Sequence, residues 1–311
     1  MSVTRRQFGK LAIAGTAATA LGVLSTKGIA QTPSQVILGV HPGALPRMDK
    51  STGLTQTNAI DNTEESTTAT IAANTANRSA ANGSIPIVVE SYDLATSQVK
   101  TVLTTSAILL PGEQLSGFAT LKDGTLIVAA SGGGLSKKNQ ANANIRLIFL
   151  GKSIKTLPLS GLKDRQELLS LARSQDDSLI GIVSGANGVP PYSLVAVNPK
   201  TGEVTVKNQL PDQEQYSNLT ECTDGTLYAI ATEQSGITSL YQIKEGQKTP
   251  LELEGQPWNS GFIGLVCSAS NQLFAVGARR YEFPNYIHLI DGKTGELKRL
   301  TAFNVSKIAI A

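Results

Sequence analysis

Three polar side chains recur at one spacing. Gln114, Glu167 and Gln215 each stand twelve residues before a leucine, Leu126, Leu179 and Leu227. Side chains at matching places in successive repeats gather round a common axis, so this series suits a polar ring for a sugar or a cation. The competing assignment is that they satisfy backbone groups between repeats or face water, as polar groups near a core must. Tyr216 and Trp258, the only tryptophan, lie beside amides and acids in Glu214-Gln215-Tyr216 and Gln256-Pro257-Trp258-Asn259. A flat apolar surface next to hydrogen-bonding groups suits a carbohydrate ring or a peptide side chain. Packing between repeats asks for the same residue types. Arg279-Arg280-Tyr281 offers two guanidinium forks, fit to hold an anion or simply to stay solvated.

Catalytic chemistry is thinly represented. Of the two histidines, His41 and His288, neither has a His, Cys or acidic neighbour at metal-ligand spacing, so no metal site is expected. No Gly-x-Ser-x-Gly elbow occurs. Ser131-Gly-Gly-Gly134 lacks the Lys-Ser/Thr of a phosphate cradle. Glu167, Asp212, Glu214 and Glu282 supply the pair of carboxylates that hydrolysis of a glycoside needs. No cofactor is evident.

These residues sit in a repeating frame. Four segments, starting at Phe118, Leu171, Leu219 and Leu265, align on Leu126, Leu179, Leu227 and Leu273, with spacings of 53, 48 and 46 residues. Each reads as a strand, a tight turn such as Lys122-Asp123-Gly124, a second strand and a small-residue loop. Third strands follow at Ile145–Leu150, Ser193–Val197, Ser239–Ile243 and Tyr286–Ile290. Asn198-Pro-Lys-Thr-Gly-Glu203 and Asp291-Gly-Lys-Thr-Gly-Glu296 are nearly one turn, leading to a fourth strand. Four strands in about 45 residues predict a β-propeller blade. Val36 lies 90 residues before Leu126, and setting aside the 43 residues of 41–83 leaves one repeat of 47. Gln35–Val40, Ile85–Tyr92 and Val99–Leu103 are then the outer strands of a blade whose inner strand is Val305–Ala311. Joining the two ends closes the ring and removes sheet edges. Five blades are predicted. The loops between second and third strands, and between one blade and the next, share a face, and the ligand site is expected at that mouth of the central channel.

Cys222 and Cys267 precede their anchor leucines by five and six residues, in adjacent blades. Opposite parity turns them toward each other, which makes a disulfide conceivable. Free buried thiols are the commoner outcome.

The N-terminus differs from everything after it. Thr4-Arg5-Arg6-Gln7-Phe8-Gly9-Lys10 precedes an apolar run, Leu11–Leu24, too short for a convincing membrane span, and Gly28-Ile29-Ala30 fits signal peptidase. Cleavage is expected after Ala30, leaving 31–311 as one domain with no stable membrane anchor. Residues 1–30 hold four of the 27 basic residues and no acid, so 23 basic face 24 acidic residues thereafter. That balance offers no electrostatic footprint for nucleic acid. Residues 41–84 carry a run rich in Thr, Ala, Asn and Ser, expected to be a low-complexity mobile insertion.

On these motifs the N-terminus resembles the twin-arginine export signal, and the remainder resembles the β-propeller superfamily in its broad sense, quinoprotein-like and WD40-like groups included. The Trp-Asp and Gly-His pairs of true WD40 repeats and the tryptophan docking motifs of quinoproteins are absent. The resemblance implies export in the folded state to the periplasm, the cell surface or a thylakoid lumen. With no recognisable catalytic cluster, the expectation is a monomeric module that takes a small molecule, a carbohydrate or a protein at the channel mouth. The alternative is an extracytoplasmic hydrolase or lyase acting on a carbohydrate or lactone.

Overall fold

Runs such as Leu179–Ala186 are buried at every position but the last. A strand reads this way when both of its faces are covered, and here blades flank it on either side. Outer strands differ: in Val204–Gln209 only Val204 is buried. The computed structural model describes residues 36–43, 84–132, 145–151 and 153–311. They form five sheets, each built on four antiparallel strands, set as the blades of a β-propeller.

Blade 1 holds β1 (Val36–Pro42), β2 (Ile85–Asp93) and β3 (Gln98–Leu109). Blade 2 holds β4 (Glu113–Thr120), β5 (Leu126–Gly132), β6 (Ile145–Leu150) and β7 (Lys155–Pro158). Blade 3 follows with β8 (Gln166–Arg173), β9 (Leu179–Ala186), β10 (Ser193–Val197) and β11 (Val204–Gln209). Blade 4 has β12 (Gln215–Glu221), β13 (Leu227–Thr232), β14 (Thr238–Gln242) and β15 (Gln247–Pro250). Two short strands, β16 (Glu252–Leu253) and β17 (Gln256–Pro257), lead into blade 5, made of β18 (Phe262–Cys267), β19 (Leu273–Gly277), β20 (Tyr286–Ile290) and β21 (Glu296–Ala302). The last strand, β22 (Lys307–Ile310), returns to blade 1 and pairs with β1, Ile37 opposite Ile310 and Val40 opposite Lys307. The ring closes by this pairing, as the repeat arithmetic requires.

Two details depart from the expected boundaries. β1 runs on to Pro42, with His41 opposite Val88 and Pro42 opposite Ile87, so residues 41–43 belong to the blade and not to the insertion. The fourth strand of blade 1 reaches Leu109, beyond the expected Val99–Leu103. Strands β16 and β17 had no sequence signal. They extend the sheet of blade 5, because β16 pairs parallel to β21, Leu253 beside Leu297. Residues 1–30 and the body of the insertion, 44–83, lie outside the described residues.

Blades are clasped at their outer edges by the two related turns. Gly202 and Gly295 have φ of 73° and 79°, and a Cβ on either would meet the carbonyl oxygen of Pro158 or Pro250 in the preceding blade. Ser160 N–H donates to the Gly202 oxygen at 2.9 Å and Glu252 N–H to the Gly295 oxygen at 3.1 Å. Glycine is required there both for backbone conformation and for this close approach.

Candidate functional site

The inner strands β4, β8, β12, β18 and β22 surround the channel. One residue from each, Phe118, Leu171, Leu219, Leu265 and Ile308, is buried to 5% exposure or less and forms an apolar ring across it. Each ring member belongs to a different core cluster between blades. The ring therefore joins the five cores at the axis and divides the channel in two.

On one side of the ring is a polar layer: Gly117, Ser170, Asn218, Gly264 and Lys307 around a void of about 10 Å³. The glycines leave room for ring members, since a Cβ on Gly117 would strike Leu171 and one on Gly264 would strike Ile308. Lys307 reaches across the channel from blade 1 to blade 3, where its Nζ donates to the Leu169 oxygen at 3.4 Å. Desolvation lowers its pKa to about 8. No carboxylate lies within ion-pair distance of it among the described residues.

Beyond the ring, toward the turns that join first to second strands, the channel opens into a cavity of about 380 Å³. Its inner wall is small and apolar, with Ala172, Val266 and Ala309. Its mouth carries Lys122, Arg173 and Glu221. Adjacent turns are stitched together around this mouth. Lys122 N–H donates to Asp177 Oδ1 at 2.8 Å, Gln175 Nε2 to the Thr223 oxygen at 2.7 Å, and Thr223 Oγ1 to Asn271 Oδ1 at 2.6 Å. Within the turns, the N–H of Thr125 and that of Thr226 hold the Asp123 and Asp224 carboxyls below the ordinary range. Cys222 and Cys267, expected as free buried thiols, are joined across blades 4 and 5 with Cα atoms 5.1 Å apart, and the bond lines this cavity. Neighbouring inner strands run side by side there, which brings the opposite-parity cysteines face to face.

The residues expected to form a site lie toward the other mouth, where blades follow one another. Gln114, Glu167 and Gln215 lie in the first two residues of β4, β8 and β12 and are exposed, but no ion pair or hydrogen bond joins them among the described residues. Strand alternation turns Tyr216 the opposite way to Gln215. Tyr216 is buried between Tyr192 and Tyr241, at centroid distances of 5.9 and 5.2 Å, and its hydroxyl donates to Glu214 Oε2 at 3.0 Å. Burial pushes the pKa of that hydroxyl up. Trp258 is fully buried and stacks on Phe262 at 4.7 Å with His288 edge-on at 5.0 Å. Both aromatics thus pack between blades and present no platform. The same burial lowers His288 to a pKa of about 4. Arg279 donates to the Leu253 oxygen at 2.7 Å, while Arg280 lies over the ring of Tyr281, itself 93% exposed.

The acids of that mouth are mostly engaged. Glu214 is buried against Lys248. Glu282 accepts from Arg299 at 2.9 and 3.0 Å. Burial pulls its pKa upward but is outweighed by the Arg279 N–H and the Arg299 guanidinium, so the carboxyl sits below its usual range. Glu167 and Asp212 remain exposed. Among the described residues no cluster of His, Cys, Asp and Glu is arranged to hold a metal ion.

The residues at the cavity mouth were not anticipated, although a signal for them exists. Thr120, Arg173, Glu221 and Cys267 each stand six residues before their anchor leucine, the position that faces the axis at that depth. Spacing of twelve marks one end of the inner strands, and spacing of six marks the other.

No protein-family model matches the sequence, and no curated protein matches it. Solved structures do. A protein of unknown function from Dyadobacter fermentans is 11% identical with a TM-score of 0.51, covering 72% of this chain and 73% of its own. A gluconolactonase from Xanthomonas campestris is 12% identical with a TM-score of 0.42, covering 70% and 73%. A Hadza microbial sialidase is 10% identical with a TM-score of 0.46, covering 68% and 51%. The first likeness is one of fold, and the scores of the other two are too low to carry an argument about activity.

Proposed function

We propose that the chain is an exported five-bladed propeller that binds a small molecule in the channel cavity on the hairpin-turn side. The observation that carries this is the cavity itself: about 380 Å³, apolar at its inner end and polar at its mouth. Ligand pockets are concave, mostly apolar and fitted with a few polar groups, at volumes of about 300–1,000 Å³. The signal at residues 1–30 directs export by the twin-arginine route, and residues 31–311 act outside the cytoplasm as a monomer. A disulfide between adjacent blades fits an oxidising compartment.

A hydrolase acting on a carbohydrate or lactone is the second reading. It would rest on Glu167 and Asp212, since Glu214 and Glu282 are each held by a cation. That engagement favours binding over hydrolysis.

Native mass spectrometry of protein purified from the periplasm tests the proposal, with crystallographic density for the cavity. A small organic molecule is expected to co-purify. Ala269, exposed at the cavity edge, offers a blocking substitution, and Ala269→Trp should exclude the molecule without lowering the melting temperature. A cavity holding only water, with no difference between the two proteins, would overturn it.

A further inference from the structure

Resting on the reading of the cavity as a ligand site, we infer that its ligand is an amphiphilic anion, a carboxylate on an apolar body, and that Arg173 receives the carboxylate. Arg173 ends β8 half-buried in the cavity wall. Its guanidinium makes no hydrogen bond or ion pair among the described residues, whereas Arg146 forks onto Glu113 and Arg299 gives its Nη2 to both oxygens of Glu282. An arginine carries five N–H donors, and a partly desolvated one left unpaired is unfavourable. A bound carboxylate matches the fork in a bidentate pair.

Other charged side chains face the same cavity. Lys122, from the turn between β4 and β5, is engaged, its Nζ donating to the Gln175 oxygen at 2.5 Å. Glu221 faces the same space from β12, yet its Oε2 is taken up by Ser174 Oγ and the Gln175 N–H, and it lies beyond ion-pair distance of Arg173. Lys122, Arg173 and Glu221 are the ionisable side chains that line the cavity, beside the last residue, Ala311. Depth sorts the wall: the apolar ring at the bottom, then Ala172 and Val266, then the charged mouth. An amphiphile enters tail first, its tail against Leu171 and Leu219 and its anionic head level with Arg173. A neutral amphiphile leaves the guanidinium unpaired, and a cationic one meets it as a like charge.

Titration calorimetry of the full chain with octanoate, octan-1-ol and octan-1-amine separates these cases. Octanoate is expected to bind at least about tenfold more tightly than octan-1-ol, with the amine weakest. Arg173→Gln should bring octanoate to the affinity of octan-1-ol and leave octan-1-ol unchanged, while Arg173→Lys keeps part of the difference. Should Arg173→Gln unfold the protein, potassium chloride serves instead, weakening octanoate and sparing octan-1-ol. Equal binding of all three probes, or an order that survives Arg173→Gln or salt, would overturn the anion inference and leave the cavity as a ligand site. Binding of none would overturn the cavity reading itself.

Discussion

Lys307 shows how a single residue is governed by its place in the ring. On a surface strand it would be an ordinary solvated lysine; across the channel it is surrounded by four other inner strands. Its folded pKa of about 8 lies below the free value of 10.5. Between these values the unfolded chain holds more protons than the folded one, so stability rises with pH. Its contribution is complete above 10.5 and is lost as pH falls toward 8; at neutral pH the partly desolvated ammonium is a net cost. The shift of about 2.5 corresponds to a cost on the order of 3 kcal/mol. Lys307→Met is therefore expected to be more stable than the natural protein at pH 7 and to lose the rise between pH 8 and 10.5. Urea midpoints across that range check both points; an unchanged slope would show that Lys307 is better hydrated than its position implies.

At the scale of elements, turn glycines that look alike in sequence do different things. Gly124, in the turn between β4 and β5, has φ of 83° and nothing within 4 Å of an added Cβ. Gly295 has φ of 79° and abuts the Pro250 oxygen of the preceding blade. Gly124→Ala should cost about 1 kcal/mol, the ordinary penalty for left-handed backbone. Gly295→Ala should cost more, about 2–4 kcal/mol, because the clasp between blades must open as well. Chemical denaturation of the two variants compares them directly, and equal losses would deny the clasp. The same turns divide what was legible from what was not. The strand–turn–strand outline and the third strands of four blades follow from alternation and Gly/Asp punctuation, which are local. β16 forms through pairing with β21, a strand about 40 residues later, and β17 through pairing with β16, and no local pattern announces them.

For the whole molecule, the ring closes through β22 against β1, and the Cys222–Cys267 bond ties blades 4 and 5 together. The disulfide encloses 45 residues, roughly one blade. Chain-entropy reasoning puts its contribution at about 4 kcal/mol, with 2–4 kcal/mol typical. Cys222→Ser with Cys267→Ser should lower the melting temperature, and reductant should bring the natural protein down to the same value without affecting the double variant. A reductant effect on the double variant would point to another cause.

By itself the sequence determined the period, the blade number and the closure of the ring, because each rests on spacing along the chain and on apolar strands that need covering on both faces. It put Gln114, Glu167 and Gln215 in the loops between blades, whereas the structure has them in the first residues of inner strands. Only the tertiary structure decided that Tyr216 and Trp258 are core residues, that the cysteines are bonded, and that the cavity opens on the hairpin-turn side. The reason is geometric: whether a channel is open or plugged at a given depth depends on five side chains from five blades meeting at one level. Phe118, Leu171, Leu219, Leu265 and Ile308 come from segments spread over nearly 200 residues, and their meeting is a property of the folded ring.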